Sequence, residues 1–574
     1  MQYCVMAPLL LVTDDDWRRF TNDLRNLQRT IVKRPGCLSI STDVWWGLVR
    51  GEDARRRDQN GAIINLNIHN NDGEWRWGYY DRLAWTIKCV SIEGRKEGLC
   101  ELKWAPIMSF HQCGGNVGDN IYVPIPVRYQ NRGYHSRQGL CPECVSLWHD
   151  EEVLNEYETF IHRFAQRYGN PDTTFTSMFN GYANCTPPVI IELNISCGPA
   201  GELRYPSYNS HDNWSYPHYG FLQCYGTEPQ LDYQRFIRNK YRAINQPPPT
   251  EAFDIQFEEI ERLITTERNY FYSSFIQDFF QWYNHSLIKH GQRMIQTALN
   301  GLHSTLMLNT RIGIKLPGIH WNASNPNHIR LGECMAGLIQ PSPKHMLGEP
   351  LGKKIDTPLI NGYTKLLWAL AAPQNLVDTL AEINLPIDKR LSSGNDLLIP
   401  QGYTRTPLNL TIHFTCAEMP SAQDIGHLDN VPTPTLCDIR KWARGTYTDH
   451  ENKQRTKVVH FSRPGDIVTH VGWAGHQIPH TLQNQETIGS AGLELGIENA
   501  LASIGSTGWK NIRRVTRRNT YGNEFQYGQM GVPYHSINIL RLSTASESAE
   551  EYNTTMKETN NEYKAGEELA RKNR

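Results

Sequence analysis

The chain has 574 residues, with 58 lysine and arginine residues against 59 aspartate and glutamate residues. This near-zero net charge gives no electrostatic basis for binding nucleic acid or an anionic membrane surface, so we expect neither partner. Apolar residues make up 39% and charged residues 20% of the chain, which is ordinary for a globular protein. The sequence leaves the oligomeric state open.

The first residues, MQYCVMAPLLL, lack the basic leader and small-residue cleavage site of a secretory signal, so we interpret them as a buried strand. We therefore expect a cytoplasmic protein, with a secreted, trimmed form as the alternative. The 13 cysteines are too few for a disulfide framework in a chain this long. The CPEC at Cys141–Cys144 lacks the second pair that a zinc site needs.

Short apolar segments alternate with longer amphipathic ones along most of the chain, which is typical of a parallel α/β fold. In chain order, the predicted strands are Tyr3–Leu9, Cys37–Val44, Leu102–Phe110, Pro188–Ser196, Thr310–Leu316, Asn409–Phe414, Leu493–Ile497 and Ile537–Leu542. The predicted helices between them include Asp15–Gln28, Glu151–Tyr168 and Phe271–Leu299. Eight strands with intervening helices predict a (β/α)8 barrel, the TIM-barrel fold.

The predicted domain organisation is one catalytic barrel over residues 1–542 with long loop insertions. The insertions are expected near 51–80, 322–405 and 445–490, which are respectively polar, rich in proline and glycine, and rich in histidine. Residues 543–574 are predicted to form a charged tail because they lack an apolar face.

Most predicted strands end in a polar or glycine-rich cluster, and barrel enzymes carry their chemistry at the carboxyl ends of the strands. Glu202, after GPAG, and Glu498, after an apolar segment, occupy such positions. Hydrolysis of a glycosidic bond requires two carboxyl groups, one protonated and one ionised. Glu202 and Glu498 are therefore candidate catalytic residues of a glycosidase, and Glu418 in CAEM is a third carboxylate to consider.

Six segments in this order, TDVWWG, SFHQCGGNVGD, GPAGELRYPSY, KLPGIHW, FTCAEM and ENAL, resemble the signature segments of the β-amylase family, glycoside hydrolase family 14. The resemblance implies a (β/α)8 barrel and an inverting exo-hydrolase that releases β-maltose from the non-reducing ends of α-1,4-glucans such as starch or glycogen. A barrel glycosidase acting on another glucan is one alternative. A glucan-binding or structural protein with little catalytic activity is another.

The resemblance makes Glu202 the general acid and Glu498 the general base, and it sets Glu418 aside. In an inverting enzyme the two carboxyl groups lie roughly 6.5–9.5 Å apart, which leaves room for a water molecule. The other matched positions are expected to bind substrate: Asp43, His111, Asp119, Lys315, His320, Trp321, Thr415, Asn499, Ala500, Leu501 and Arg541.

Individual roles also follow from the resemblance. Asp43 and His111 hold the hydroxyls of the non-reducing glucose, and Arg541 fixes Asp43. Asp119 ends a segment similar to the family's mobile lid, whose closure excludes water. Thr415 hydrogen-bonds the acid after it has lost its proton.

The chain departs from the family pattern at several points. Ala417 replaces a bulkier apolar residue, and the stretches 51–100 and 322–405 match poorly in length. No segment resembling a starch-binding domain follows Arg541, so binding to raw starch granules is not predicted. Some bacterial members carry a structural calcium, but we identify no ligand set for it, and we expect neither a metal nor another cofactor.

Overall fold

A computed structural model describes most of the first 340 residues and five later strands. The described residues are 2–31, 37–57, 63–66, 74–114, 121–171, 186–214, 218–250, 253, 256–266, 273–317, 319, 331–339, 366, 370, 410–414, 446–448, 454–456, 467–472 and 536–541.

The strands are β1 Gln2–Met6, β2 Cys37–Trp45, β3 Ala54–Arg57, β4 Ile63–Leu66, β5 Leu102–Ser109, β6 Ile121–Tyr122, β7 Tyr134–Ser136, β8 Gly139–Cys141, β9 Glu192–Ile195, β10 Arg311–Leu316, β11 Leu410–Phe414, β12 Thr446–Thr448, β13 Gln454–Thr456, β14 Ile467–Gly472 and β15 Ser536–Arg541. The α-helices are Asp14–Ile31, Trp46–Val49, Gly78–Lys96, Asp150–Tyr168, Thr227–Ala243, Phe257–Thr266, Ser274–Leu302 and Leu331–Met335. None of the helices in the described ranges has both the length and the apolar character that crossing a membrane requires.

Eight strands form one sheet in the order β1, β2, β5, β9, β10, β11, β14, β15. Neighbouring strands from β1 to β14 pair in parallel. β1 also lies against β15, so the sheet closes on itself as a barrel. The predicted α/β barrel is confirmed, and long helices such as Asp14–Ile31 and Gly78–Lys96 connect its strands.

The structure differs from the expected barrel in its last two strands. β15 pairs antiparallel with β14, so that Arg541 lies opposite Ile467, the first residue of β14. β14 itself lies within the stretch 445–490, so a barrel strand runs through this predicted insertion. The predicted strand Leu493–Ile497 and the tail 543–574 lie outside the described residues.

Within the predicted insertion 51–80, β3 and β4 form a small antiparallel sheet with β6. This sheet is separate from the barrel.

The core lies between the barrel strands and the helices that cover them. β5 is buried along nearly all its length, as expected for a parallel strand covered on both faces. Its Trp104 ring packs edge-on against Phe164 and Tyr168, with ring centroids 5.5 and 5.3 Å apart. These contacts fix helix Asp150–Tyr168 against the sheet.

Helix Ser274–Leu302 packs closely on helix Asp150–Tyr168 at Gly301. His162 Nδ1 donates a hydrogen bond to the Gly301 carbonyl at 3.1 Å. A Cβ atom at position 301 would lie 2.9 Å from both the Glu158 carbonyl oxygen and the Ile161 Cβ. The helices can therefore approach this closely only because residue 301 has no side chain.

We predict that Gly301→Ala lowers the free energy of unfolding by about 1 to 2 kcal/mol. Overpacking lowers the stability by about 1–3 kcal/mol, and the higher helix propensity of alanine offsets up to about 1 kcal/mol of this loss. Urea unfolding measures the change, and Gln296→Ala on the exposed face of the same helix is the control, with a change within about 0.5 kcal/mol. A Gly301→Ala protein as stable as the wild type would contradict the packing described.

Candidate active site

Four of the predicted site residues lie together at the carboxyl ends of neighbouring strands. Asp43 lies near the end of β2, and His111 follows β5 by two residues. Lys315 is the penultimate residue of β10. Glu202 lies beyond β9, but its backbone pairs with that of Lys315, and the Leu203 amide donates to the Lys315 carbonyl at 2.8 Å.

Asp43 is 6% exposed and accepts a hydrogen bond from Ser109 Oγ at 2.6 Å. Burial raises the pKa of this carboxyl, and the nearby Lys315 ammonium and the Ser109 hydroxyl only partly oppose the rise. The hydrogen bond from Ser109 on β5 thus holds the Asp43 carboxyl in a fixed direction.

His111 packs edge-on against the Trp45 ring, with centroids 5.2 Å apart. Its Nδ1 lies 2.8 Å from Ser196 Oγ. Burial, together with the positive charges of Lys315 and Arg204, holds the pKa of His111 well below its ordinary value of 6.5. The imidazole is therefore neutral at physiological pH, and it is suited to hydrogen bonding rather than to carrying charge.

A left-handed turn brings Glu202 to the rim. Ala200 and Gly201 have φ angles of 54° and 78°. The left-handed conformation at Gly201 is easy for glycine, and a Cβ there would lie 3.3 Å from His111 Cε1 and 3.5 Å from Lys315 Nζ. The turn therefore presses the backbone before Glu202 directly against two other site residues.

Glu202 is 8% exposed, and its carboxyl is paired with a buried arginine. Arg204 Nε donates to Glu202 Oε2 at 2.6 Å, and the Tyr208 hydroxyl donates to the same oxygen at 3.5 Å. The Arg204 guanidinium also lies over the Tyr208 ring, 3.9 Å from its centroid. These contacts fix the position of Glu202 Oε2. The conformation of the loop then sets the direction in which Oε1 points.

The described structure does not show where the side chains of the remaining predicted site residues lie. These residues lie outside the described ranges: Asp119, His320, Trp321, Thr415, Glu498, Asn499, Ala500 and Leu501. Arg541 is described only in its backbone, at the end of β15 beside the first residue of β14 rather than beside its carboxyl end. Its contact with Asp43, and the distance between Glu202 and Glu498, therefore stay predictions.

Both thiols of the CPEC segment are buried. Burial raises the pKa of both the Cys141 and the Cys144 thiols well above the ordinary value, and the neighbouring Glu143 carboxylate raises it further. A neutral thiol is a poor metal ligand and nucleophile. Within the part of the chain that the structure describes, no three His, Cys, Asp or Glu side chains group together to hold a metal ion.

The residues that hold Glu202 in place were not identified from the sequence. Arg204 lies inside the quoted segment GPAGELRYPSY, so its proximity to Glu202 was a usable signal. Glu143 accepts a hydrogen bond from the Ala200 amide at 3.2 Å. Glu143 lies in the CPEC segment, whose sequence draws attention to its cysteines, and nothing in the local sequence indicates this long-range contact.

A buried carboxyl on the rim of an α/β barrel, beside oriented hydrogen-bonding groups, is typical of the active sites of barrel enzymes. The family model for glycosyl hydrolase family 14 matches residues 4–356. The chain therefore belongs to glycosyl hydrolase family 14, the family of the β-amylase-type glycoside hydrolases. The matched range includes Asp43, His111, Glu202 and Lys315, and Glu498 lies beyond it.

Curated relatives agree with this family. The chain is 31% identical over 341 residues to the thermophilic β-amylase of Thermoanaerobacterium thermosulfurigenes, covering 58% of this chain and 53% of that protein. It is 28% identical over 410 residues to a β-amylase of Niallia circulans, covering 69% and 62%. The chain thus spans between half and two thirds of the length of these relatives.

The fold is similar to that of the catalytic domain of β-amylase from Paenibacillus polymyxa. The TM-score is 0.50 at 23% sequence identity, over 76% of this chain and 82% of that chain. At this identity the likeness supports the barrel fold alone.

We predict that His111 makes the stability of the protein fall as the pH falls below 6.5. The unfolded chain binds a proton at His111 below that pH, whereas the folded protein, with its depressed pKa, does not. Proton binding then stabilises the unfolded chain, so the free energy of unfolding falls by up to about 1.4 kcal/mol for each unit that the pH drops below 6.5. Above pH 6.5 this effect of His111 vanishes. The measurement is urea unfolding of wild type and His111→Asn at pH 7.5 and 5.5.

The unfolding free energy of the wild type, relative to that of His111→Asn, should drop by about 1 kcal/mol between pH 7.5 and 5.5. Asp43 and the other titrating groups are present in both proteins, so their contributions cancel in this comparison. An equal difference at the two pH values would contradict a buried, neutral His111.

Proposed function

We propose that the protein is an inverting exo-hydrolase that releases β-maltose from the non-reducing ends of α-1,4-glucans. The observation that carries the proposal is the position of Glu202, on the rim beside the Asp43, His111 and Lys315 group. Membership of glycosyl hydrolase family 14 and the names of the β-amylase relatives support the same chemistry.

In this proposal Glu202 and Glu498 act on opposite faces of the sugar. Glu202 donates its proton to the glycosidic oxygen as the bond from that oxygen to the anomeric carbon breaks. Glu498 takes a proton from a water molecule, whose oxygen attacks the anomeric carbon from the other side. The products are β-maltose and a glucan shorter by two glucose units, and proton exchange with solvent restores both carboxyl groups.

Arg204 and Tyr208 contact Oε2 of Glu202, so we assign the transferred proton to Oε1. Once the proton has left, the Arg204 guanidinium stabilises the carboxylate that remains, because the pair is buried and hydrogen-bonded. The resemblance also assigns this task to Thr415.

Exo-action requires a site that recognises the non-reducing end of the glucan. Asp43 and His111 are both buried and held by serine hydroxyls, from Ser109 and Ser196. A neutral imidazole and a fixed carboxyl together offer a hydrogen-bond donor and acceptors to the hydroxyls of a terminal glucose. An internal sugar, substituted at its 4-hydroxyl, would leave such buried groups unpaired.

The other proposed substrate contacts come from Asp119, His320, Trp321, Thr415, Asn499, Ala500, Leu501 and Arg541. Lys315 is 3% exposed, and its charge couples to both Asp43 and His111. Its ammonium therefore partly compensates the charge of Asp43, and the family resemblance implies that Lys315 also lines the sites for the departing glucan.

The test is maltose release from soluble starch by wild type, Glu202→Gln and Glu498→Gln, followed by chromatography. Each variant should be slower by about 10³-fold or more, since each removes an essential proton donor or acceptor while keeping the shape of the side chain. Glu418→Gln is the matched control and should retain wild-type activity. Near-full activity of either catalytic variant would remove that residue from the mechanism.

The products also separate the rival functions. Glucose or mixed oligosaccharides in place of maltose would contradict a maltohydrolase and favour a barrel glycosidase of different specificity. Glucan binding by a wild-type protein without hydrolysis would favour a binding or structural role.

A further inference from the structure

A second buried carboxylate, Glu143, contacts both ends of the loop that carries Glu202. We call residues 198–209 the acid loop. Glu143 is 3% exposed and comes from the CPEC segment after β8. It is not among the residues to which the resemblance gives a role.

At the start of the acid loop, Glu143 holds a residue in an uncommon backbone conformation. The φ angle of Ala200 is 54°, in the left-handed region that is energetically costly for an L-residue. The Ala200 amide donates a hydrogen bond to Glu143 Oε1 at 3.2 Å. This bond to a charged acceptor helps to offset the cost and fixes the turn two residues before Glu202.

At the end of the acid loop, the other Glu143 oxygen takes part in a chain of contacts that returns to Glu202. Asn209 Nδ2 donates to Glu143 Oε2. Asn209 Oδ1 accepts from Arg204 Nη1 at 3.4 Å, and Arg204 Nε donates to Glu202 Oε2 at 2.6 Å. Glu143 thus links the two ends of the acid loop, and the arginine that contacts Glu202 is bound to the same network.

The charges support the same interpretation. Arg204 is 1% exposed, so its positive charge must be balanced by neighbours. Burial alone would lower its pKa, but Tyr208, Glu202 and Glu143 together raise it above the ordinary value. Glu143 and Glu202 therefore both help to balance the positive charge of Arg204.

We propose that Glu143 is a positioning residue that, through Ala200, Asn209 and Arg204, sets the direction in which Glu202 presents its proton. The proposal rests on the proposed function, since it gives Glu143 a task only if Glu202 is the general acid. In this proposal Glu143 acts through these residues and not as a catalytic residue.

The test compares two substrates in the same preparations of wild type, Glu143→Ala and Glu202→Gln. Soluble starch needs full protonation of its leaving oxygen, whereas 4-nitrophenyl α-maltoside releases a phenolate that leaves with little proton donation. Glu143→Ala should lower kcat on starch by about 10- to 100-fold, because a misplacement of about 1 Å costs this much, with KM changed by less than about 3-fold. Its kcat on the nitrophenyl substrate should fall by less than about 3-fold.

A double variant provides the rescue. In Glu143→Gln/Asn209→Asp the amide and the carboxylate exchange places, so the contact between the two side chains and the charge beside Arg204 are both kept. We expect Glu143→Gln alone to be impaired on starch and the double variant to return to within about 3-fold of wild type. A folded double variant no better than Glu143→Gln would overturn the proposal.

The control for a general loss of stability is Asp278→Ala, which removes a buried carboxylate bonded to Lys240 and Tyr241. It should leave the ratio of the starch rate to the nitrophenyl rate at the wild-type value, because this ratio does not depend on the folded fraction. An equal loss of both rates in Glu143→Ala would mean that Glu143 acts on folding alone and would overturn the proposal.

The Glu202→Gln rates distinguish the failure of this proposal from that of the proposed function. If Glu202→Gln retains activity on starch, Glu202 is not the acid, and both proposals fall. If Glu202→Gln loses starch hydrolysis and keeps the nitrophenyl reaction, while Glu143→Ala matches wild type on both substrates, only the role of Glu143 falls.

Discussion

The parallel alignment of β2, β5, β9 and β10 is the constraint on which the rest of the site depends. Because neighbouring parallel strands end at the same edge of the sheet, Asp43, His111 and Lys315 meet there although they are far apart in sequence. Glu202 joins them because the turn after β9 brings its backbone into register with Lys315. The barrel thus supplies a rigid base for polar side chains that would otherwise cost much to bury.

Burial at this rim has two consequences for the chemistry. It keeps His111 neutral and raises the pKa of Asp43, so the groups proposed to read the sugar terminus act through hydrogen bonds in fixed directions. It also requires every charge to have a partner, and the Arg204 guanidinium supplies one for Glu202. A site with its charges already paired needs little reorganisation when substrate arrives.

The barrel could be predicted from the sequence because its central strands are apolar runs ending in polar clusters. Leu102–Phe110 was predicted and Leu102–Ser109 is observed, and Thr310–Leu316 corresponds to Arg311–Leu316. β14 was missed because Ile467–Gly472 lies in a polar, histidine-rich stretch whose pattern indicates a loop. The contact of Glu143 with Ala200 was also missed, since it depends on how two distant segments pack rather than on local spacing.

The anomeric form of the released maltose is the most direct test of inversion with Glu202 as the acid and Glu498 as the base. Proton NMR of the maltose released from starch in the first minutes, before its anomers equilibrate, distinguishes the two stereochemical outcomes. We expect the new reducing end to be in the β form and to convert only later to the equilibrium mixture. Release of α-maltose would contradict inversion, and with it the assignment of Glu202 and Glu498 as an acid and base on either side of a water molecule.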